Sequence, residues 1–178
     1  MDTNSTYLAK KLRKLESNIS NLAWKVITTG VSFDEVFVDN LANTNYINGS
    51  LSQYVFDQAN SLVKNSTGSN LTLVTTARTL PANNPTSSFC LIEVMPVSVG
   101  DIVENIDIQA FISINNGGTF VQYSRFYNLV AFQSVNLVYF RGDVSGLIQY
   151  NDNRAVFKIQ TFNNKSVKIG AYSFGVRY

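Results

Sequence analysis

The run Ile106, Asp107, Ile108, Gln109, Ala110, Phe111, Ile112, Ser113, Ile114, followed by Asn115, Asn116, Gly117 and Gly118, decides the fold class. Ile106, Ile108, Ala110, Ile112 and Ile114 recur at every second position, with Asp107, Gln109 and Ser113 between them. Successive side chains of a strand point to opposite faces. A period of two therefore assigns a half-buried strand within 102–114, isoleucines inward and Asp107 toward solvent. Asn and Gly tolerate the positive φ of tight turns, so 115–118 reads as a hairpin turn.

The same pattern extends in both directions. Leu71 to Ala77 and Phe89 to Val97 precede this strand. Thr119 to Arg125, Leu129 to Phe140, Gly146 to Tyr150, Ala155 to Phe162 and Val167 to Tyr178 follow it. Short strands at regular intervals without helical periodicity predict an antiparallel β-sandwich of jelly-roll type over 71–178. Residues 66–70 and 82–88 are turn-rich loops, the second flanked by Pro81 and containing Pro85. Residues 31–70 are expected to be a connecting segment: a short strand over 33–39, a polar loop over 41–49, and a helix or extended piece over 51–63.

The first 30 residues follow a different period. Leu8, Leu12, Leu15, Ile19, Leu22 and Val26 are spaced alternately four and three apart, the a/d seam of a coiled coil. Ser5 or Thr6 can cap the helix, and Thr28, Thr29 and Gly30 supply a stop. Each seam residue contributes roughly 1.5–3 kcal/mol when buried, yet three heptads are marginal once association entropy is subtracted, so the β-domain must share in oligomerisation. Lys11 and Glu16 lie where short parallel trimers place a basic g residue and an e glutamate. Lysine lacks the bidentate fork of arginine, and β-branched a positions with leucine at d also suit a dimer. The expectation is a trimer, with a helix packed on its own β-domain as the alternative.

Composition bounds the chemistry. The 178 residues suffice for one well-buried core plus an appendage, and aromatics at 12% against charged residues at 15% suit pleated, half-buried surfaces. The chain has no histidine, which removes the usual general base near neutral pH and the commonest zinc ligand. Cys90 stands alone in an apolar run, without an internal disulfide partner, and reads as a buried small hydrophobe. Net charge is +2, and the basic residues Lys10, Lys11, Arg13 and Lys14 cluster on the first helix, so no nucleic-acid stripe is expected. No stretch has signal-peptide character or the roughly 20 apolar residues of a membrane span. The chain is thus expected to be made in a cytosol, not to insert in a membrane, and to need neither cofactor nor metal. Its N-x-S/T triplets, such as those at Asn65 and Asn70, then follow from composition.

Arg141, Gly142 and Asp143 spell an adhesion tripeptide, but glycine and aspartate are ordinary turn formers, and a structural turn is expected there. Asp101, Glu104 and Asp107, and likewise Asp143 and Asp152, are the residue type that glycoside hydrolysis or calcium binding uses. Their spacing matches no calcium loop, and a solvated surface is expected. Gly117 and Gly118 precede no helix, which excludes a phosphate cradle. Tyr123, Tyr127, Tyr139, Tyr150 and Tyr172 are candidates for a surface platform that binds carbohydrate or protein, because tyrosine joins a flat apolar face to a hydroxyl; core or interface is the competing expectation.

The opening Asn4, Ser5, Thr6, Tyr7, Leu8, Ala9, Lys10, Lys11, Leu12, Arg13, Lys14, Leu15, Glu16 resembles the start of small virion structural proteins of tailed phages. There a basic heptad helix precedes β-rich fibre or decoration modules. The ending Tyr172, Ser173, Phe174, Gly175, Val176, Arg177, Tyr178 resembles a terminal strand closing a trimeric tip. The resemblance implies a homotrimeric virion protein made in the host cytoplasm. Its helix would dock on other virion proteins, and its β-domain would touch a host-surface glycan or protein. A tail-fibre-type component is the leading expectation, a capsid decoration or head-fibre protein the second, and a surface-glycan hydrolase the third. Leu15→Asp or Ile19→Asp, each placing a charge in the seam, should disrupt assembly. Light scattering reads the mass directly, and an unchanged mass would remove the helix as the assembly element.

Overall fold

The computed structural model describes residues 35–66, 68–81, 85–96, 103, 105–132, 135–143 and 152–178. The chain divides into two compact units, Met1–Phe33 and Asp34–Tyr178, and every described residue belongs to the second. The heptad helix and its coiled coil therefore lie outside the described residues, as does the strand expected over 146–150.

Among the described residues the second unit is built of strands: β1 (Glu35–Asp39), β2 (Val55–Asp57), β3 (Leu62–Lys64), β4 (Thr72–Val74), β5 (Arg78–Thr79), β6 (Ser87–Pro96), β7 (Ile108–Ser113), β8 (Val121–Gln122), β9 (Arg125–Phe132), β10 (Val135–Asp143), β11 (Arg154–Thr161) and β12 (Val167–Arg177). They form two antiparallel sheets. The larger runs β2-β3-β12-β6-β10-β9, with β1 also on β12; the smaller runs β4-β11-β7-β8, with β5 also on β11. Residues 35–64, expected to be part of a connector, thus contribute three strands to the larger sheet.

The two sheets share one core. Alternation sends Ile108, Ala110 and Ile112 of β7 and Ala155, Phe157 and Ile159 of β11 inward, where they meet Cys90, Ile92 and Val94 of β6 and Phe140 of β10. The Phe157 ring stacks on Phe174 of β12, centroids 3.5 Å apart and planes 19° apart, joining the sheets face to face. Phe174 also meets Phe37 of β1, at 5.2 Å between centroids.

β12 keeps its apolar residues on one face only because of an irregularity. Ile169 pairs with Val94 but Ala171 pairs with Glu93, so Gly170 is an extra residue. Such a bulge shifts the phase of a strand by one position. Val167 and Ile169 before it, and Tyr172, Phe174 and Val176 after it, therefore all enter the same core. β6 is buried on both faces: Phe89 and Leu91, in the phase opposite to Cys90 and Ile92, are also fully buried. That explains a continuous apolar run where a half-buried strand would alternate.

Several local expectations need correction. Leu129 to Phe140 is not one strand but the hairpin arms β9 and β10, with Val135 opposite Phe132. Its sequence carries no glycine, proline or asparagine between Ala131 and Val135 to signal the reversal. Arg141, Gly142 and Asp143 form no turn: they end β10, paired with Phe89, Ser88 and Ser87. A Cβ at 142 would lie 3.1 Å from the Tyr123 ring, closer than an ordinary contact, so glycine fits there without displacing that ring. The 115–118 turn is as expected. Asn116 and Gly117 take φ of 56° and 85°, and the Gly118 amide donates to the Asn115 carbonyl at 3.0 Å.

Phe174→Ala should cost about 3–5 kcal/mol, since it removes the ring that both sheets share. Urea unfolding measures this; a loss below about 1 kcal/mol would mean that the inter-sheet stack is not central to stability.

Candidate functional site

The structure disperses the tyrosines singled out by sequence. Tyr150 lies outside the described residues; Tyr127 and Tyr139 are paired in the β9–β10 register, and their side chains are outside what is described. Tyr123 and Tyr172 are not surface residues, being 2% and 1% exposed. Each hydroxyl serves the interior, where an unpaired polar group would be costly. Ser88 Oγ donates to the Gly175 carbonyl at 2.8 Å, which leaves the Tyr123 hydroxyl to donate to Ser88 at 2.7 Å. The Tyr172 hydroxyl donates to Asp39 Oδ2 at 2.8 Å, and the other Asp39 oxygen accepts the Leu41 amide at 2.9 Å. Burial, then the Asp39 charge, pushes the Tyr172 phenol far above its ordinary range, so it remains a donor. The seam residues Leu8, Leu12, Leu15, Ile19, Leu22 and Val26, with Lys11 and Glu16, lie outside the described residues.

The carboxylates do not converge. Asp101 and Glu104 lie outside the described residues. Asp107 corrects the expectation of a solvent-facing position: it is 3% exposed, because the strand begins one residue later. Its oxygens accept the Asn163 side-chain amide at 2.7 Å and the Val103 backbone amide at 2.8 Å, closing a turn that leaves Ile106 exposed. Ser113, also expected outside, is buried and bonded to Asn115. Asp152 is spent on Arg154, at 2.6 Å. Among the described residues no group of three or more cysteines, aspartates or glutamates is placed to hold a metal ion. Cys90 is buried, and desolvation pushes its thiol far up, so it is an inert core residue as expected.

A hollow beside Tyr172 is lined by Phe37, Asp39, Tyr46, Thr75 and Arg78, and its free interior is about 10 Å³. That is room for about one water molecule and excludes a sugar ring. Arg78, one of the lining residues, stacks on Tyr46, 4.2 Å from the ring centre.

The outer face of the smaller sheet is different. The positions between the inward residues of β7 are Gln109 and Phe111; those of β11 are Val156, which is itself buried, Lys158 and Gln160. Register sets Lys158 beside Phe111, Gln160 beside Gln109, and Phe111 beside Gln122 of β8. Phe120 completes the group from the turn before β8. The Lys158 ammonium lies 4.2 Å from the Phe111 ring centre and 4.7 Å from that of Phe120, within reach of cation–π attraction to both. Phe111, Phe120, Lys158, Gln109 and Gln160 are half-buried and Gln122 is exposed. Two of the amides are held in place: Gln109 donates to the Asn105 carbonyl at 3.0 Å and Gln122 to Asn105 Oδ1 at 2.9 Å.

This arrangement offers the groups of a contact surface. Flat ring surface suits the apolar face of a sugar or a planar group, and fixed amide oxygens accept from hydroxyls. A sheet holds these groups rigidly. Desolvation lowers the Lys158 pKa from its ordinary value, the mark of an ammonium with reduced access to water. The available sequence signal was Phe111, a large aromatic in the polar phase of β7.

No family model matches the chain, and no curated protein matches it. Among solved structures it is similar to TmCBM61, a carbohydrate-binding module solved in complex with beta-1,4-galactotriose. The TM-score is 0.34 and the identity 10%, over 83% of this chain and 93% of that one.

Asp107 supplies a pH test. Burial raises its pKa, but the Asn163 and Val103 hydrogen bonds and the nearby Lys165 charge together hold it below the ordinary 3.8. A depressed folded-state pKa stabilises the protein above the unfolded value, and that contribution is lost as pH falls through the folded one. Asp107→Asn should therefore lower the melting temperature at pH 7, with the difference from wild type shrinking below about pH 4. A gap of equal size at pH 7 and pH 2.5 would show that the charge is immaterial.

Proposed function

We propose that this chain is a non-enzymatic attachment module of a virion, a tail-fibre-type protein that trimerises through its N-terminal heptads. Its jelly-roll-like sandwich contacts glycan on a host surface. The carrying observation is the Lys158 ammonium set between Phe111 and Phe120 on a rigid sheet face lined by glutamine amides. Glu93 apart, whose pKa burial raises, the carboxylates whose side chains are described, Asp39, Asp57, Asp107 and Asp152, are each engaged in structural hydrogen bonds or an ion pair. That supports recognition rather than hydrolysis. The low overall charge and amide-rich polar surface suit a protein held in a larger assembly.

The test is binding of the purified full chain to host surface polysaccharide. Phe111→Ala should weaken binding about tenfold or more while leaving the melting temperature within a few degrees, since the ring is not in the shared core. Wild-type affinity in that variant would remove this face as the contact surface. Cryo-microscopy of particles carries the positional half of the proposal: density only on the capsid shell would replace the tail reading with the decoration or head-fibre one.

A further inference from the structure

Lys158 has no anionic partner among the described residues. Its neighbours across the sheet are Phe111 and Val74, and those along its own face of β11 are Val156 and Gln160. The next positions outward, Thr72, Gln109, Ser113 and Gln122, are uncharged as well. The carboxylates of the unit that are described in hydrogen bonds or ion pairs are held elsewhere: Asp39 by Tyr172, Asp57 by Lys64 and Asn60, Asp107 by Asn163, Asp152 by Arg154. The other described cations of β11 and β3, Arg154 and Lys64, each have a carboxylate partner.

A half-buried ammonium without a counter-charge among the described residues keeps electrostatic demand, because two aromatic faces replace only part of the hydration it has lost. A ligand bearing an anion meets that demand at the point where its ring would stack. We infer that the outer face of the smaller sheet selects an acidic polysaccharide, with Lys158 pairing to a carboxylate or sulfate and Phe111 and Phe120 supporting the sugar ring that carries it. This rests on the glycan-contact reading above and adds the charge of the ligand. Lysine acts as a point charge with rotatable donors, so the site discriminates the presence of an anion more than its geometry. Gln109, Gln122 and Gln160 flank the ammonium and supply the oxygens and amide hydrogens that sugar hydroxyls use.

The experiment is calorimetric titration of the full chain with polygalacturonate, dextran sulfate and neutral dextran, at low and at moderately raised salt. The comparison set is Lys158→Met, Lys158→Arg and Phe111→Ala, with polyglutamate and anionic phospholipid vesicles as non-sugar anions. The expected result is binding to at least one acidic polysaccharide about tenfold or more tighter than to dextran, weakening as salt rises. Lys158→Met should abolish that preference and Lys158→Arg should keep it, whereas Phe111→Ala should weaken binding without changing the salt dependence. Equal binding of charged and neutral polymers, unaltered in Lys158→Met but weakened in Phe111→Ala, overturns the charge selection and leaves glycan contact standing. Binding to polyglutamate or vesicles as tight as to the polysaccharides overturns the sugar assignment. Silence toward both acidic polysaccharides overturns the inference outright, and failure on host polysaccharide as well removes the function from which it starts.

Discussion

The stack of Phe157 on Phe174 is the contact on which the described unit depends. β12 pairs with β1, β3 and β6, so the larger sheet is organised around it. β11 pairs with β4, β5 and β7 and holds the smaller sheet in the same way. The two phenylalanines join these two hubs at 3.5 Å, where dispersion between flat rings adds to the burial of apolar area. Fixing β11 against β12 orients every side chain of β11, and with it the side chains that look the other way. Lys158 follows Phe157 directly, so the residue that seals the core also sets where its neighbour presents a charge to solvent.

Polar groups are divided sharply between the two sides of that arrangement. Inside, Asp39 with Tyr172, Ser88 with Tyr123, and Thr161 with the Leu71 amide are closed pairs that take part in holding strands together. Asp107 does the same for the turn entering β7. Each of these is satisfied by a neighbour, because a buried donor or acceptor left alone costs more than a good hydrogen bond contributes; the buried Ser173 hydroxyl is an exception. Outside, on the smaller sheet, the amides and the ammonium keep capacity for an external partner. Of the five tyrosines that the sequence offered for a surface platform, Tyr123 and Tyr172 were consumed by the interior.

The fold was legible where the chain speaks in short-range terms. The isoleucines of β7 faced inward as their period required, and Asn116 and Gly117 took the left-handed conformation that their small or self-bonding side chains permit. It was illegible where a single residue changes the phase. The extra Gly170 in β12 turns Tyr172 toward the core; a glycine inside a strand is the one residue type there that signals a bulge, and it does not say on which side of it the phase changes. The reversal between β9 and β10 carries no strong turn former, and Asp107 lies one position before its strand, where alternation no longer applies. For Tyr172 and Asp107 the deciding partners, β6 and Asn163, are remote in the chain.

By itself the sequence determined which segments are extended, which residues of β7 are inward, and that histidine-based and disulfide chemistry is absent. Those follow from side-chain size, backbone freedom and composition, properties each residue carries wherever it is placed. Only the tertiary structure decided that Phe111, Phe120 and Lys158 meet. Strands remote in the chain become neighbours through register, and register is set by the packing of the whole core, not by any one segment.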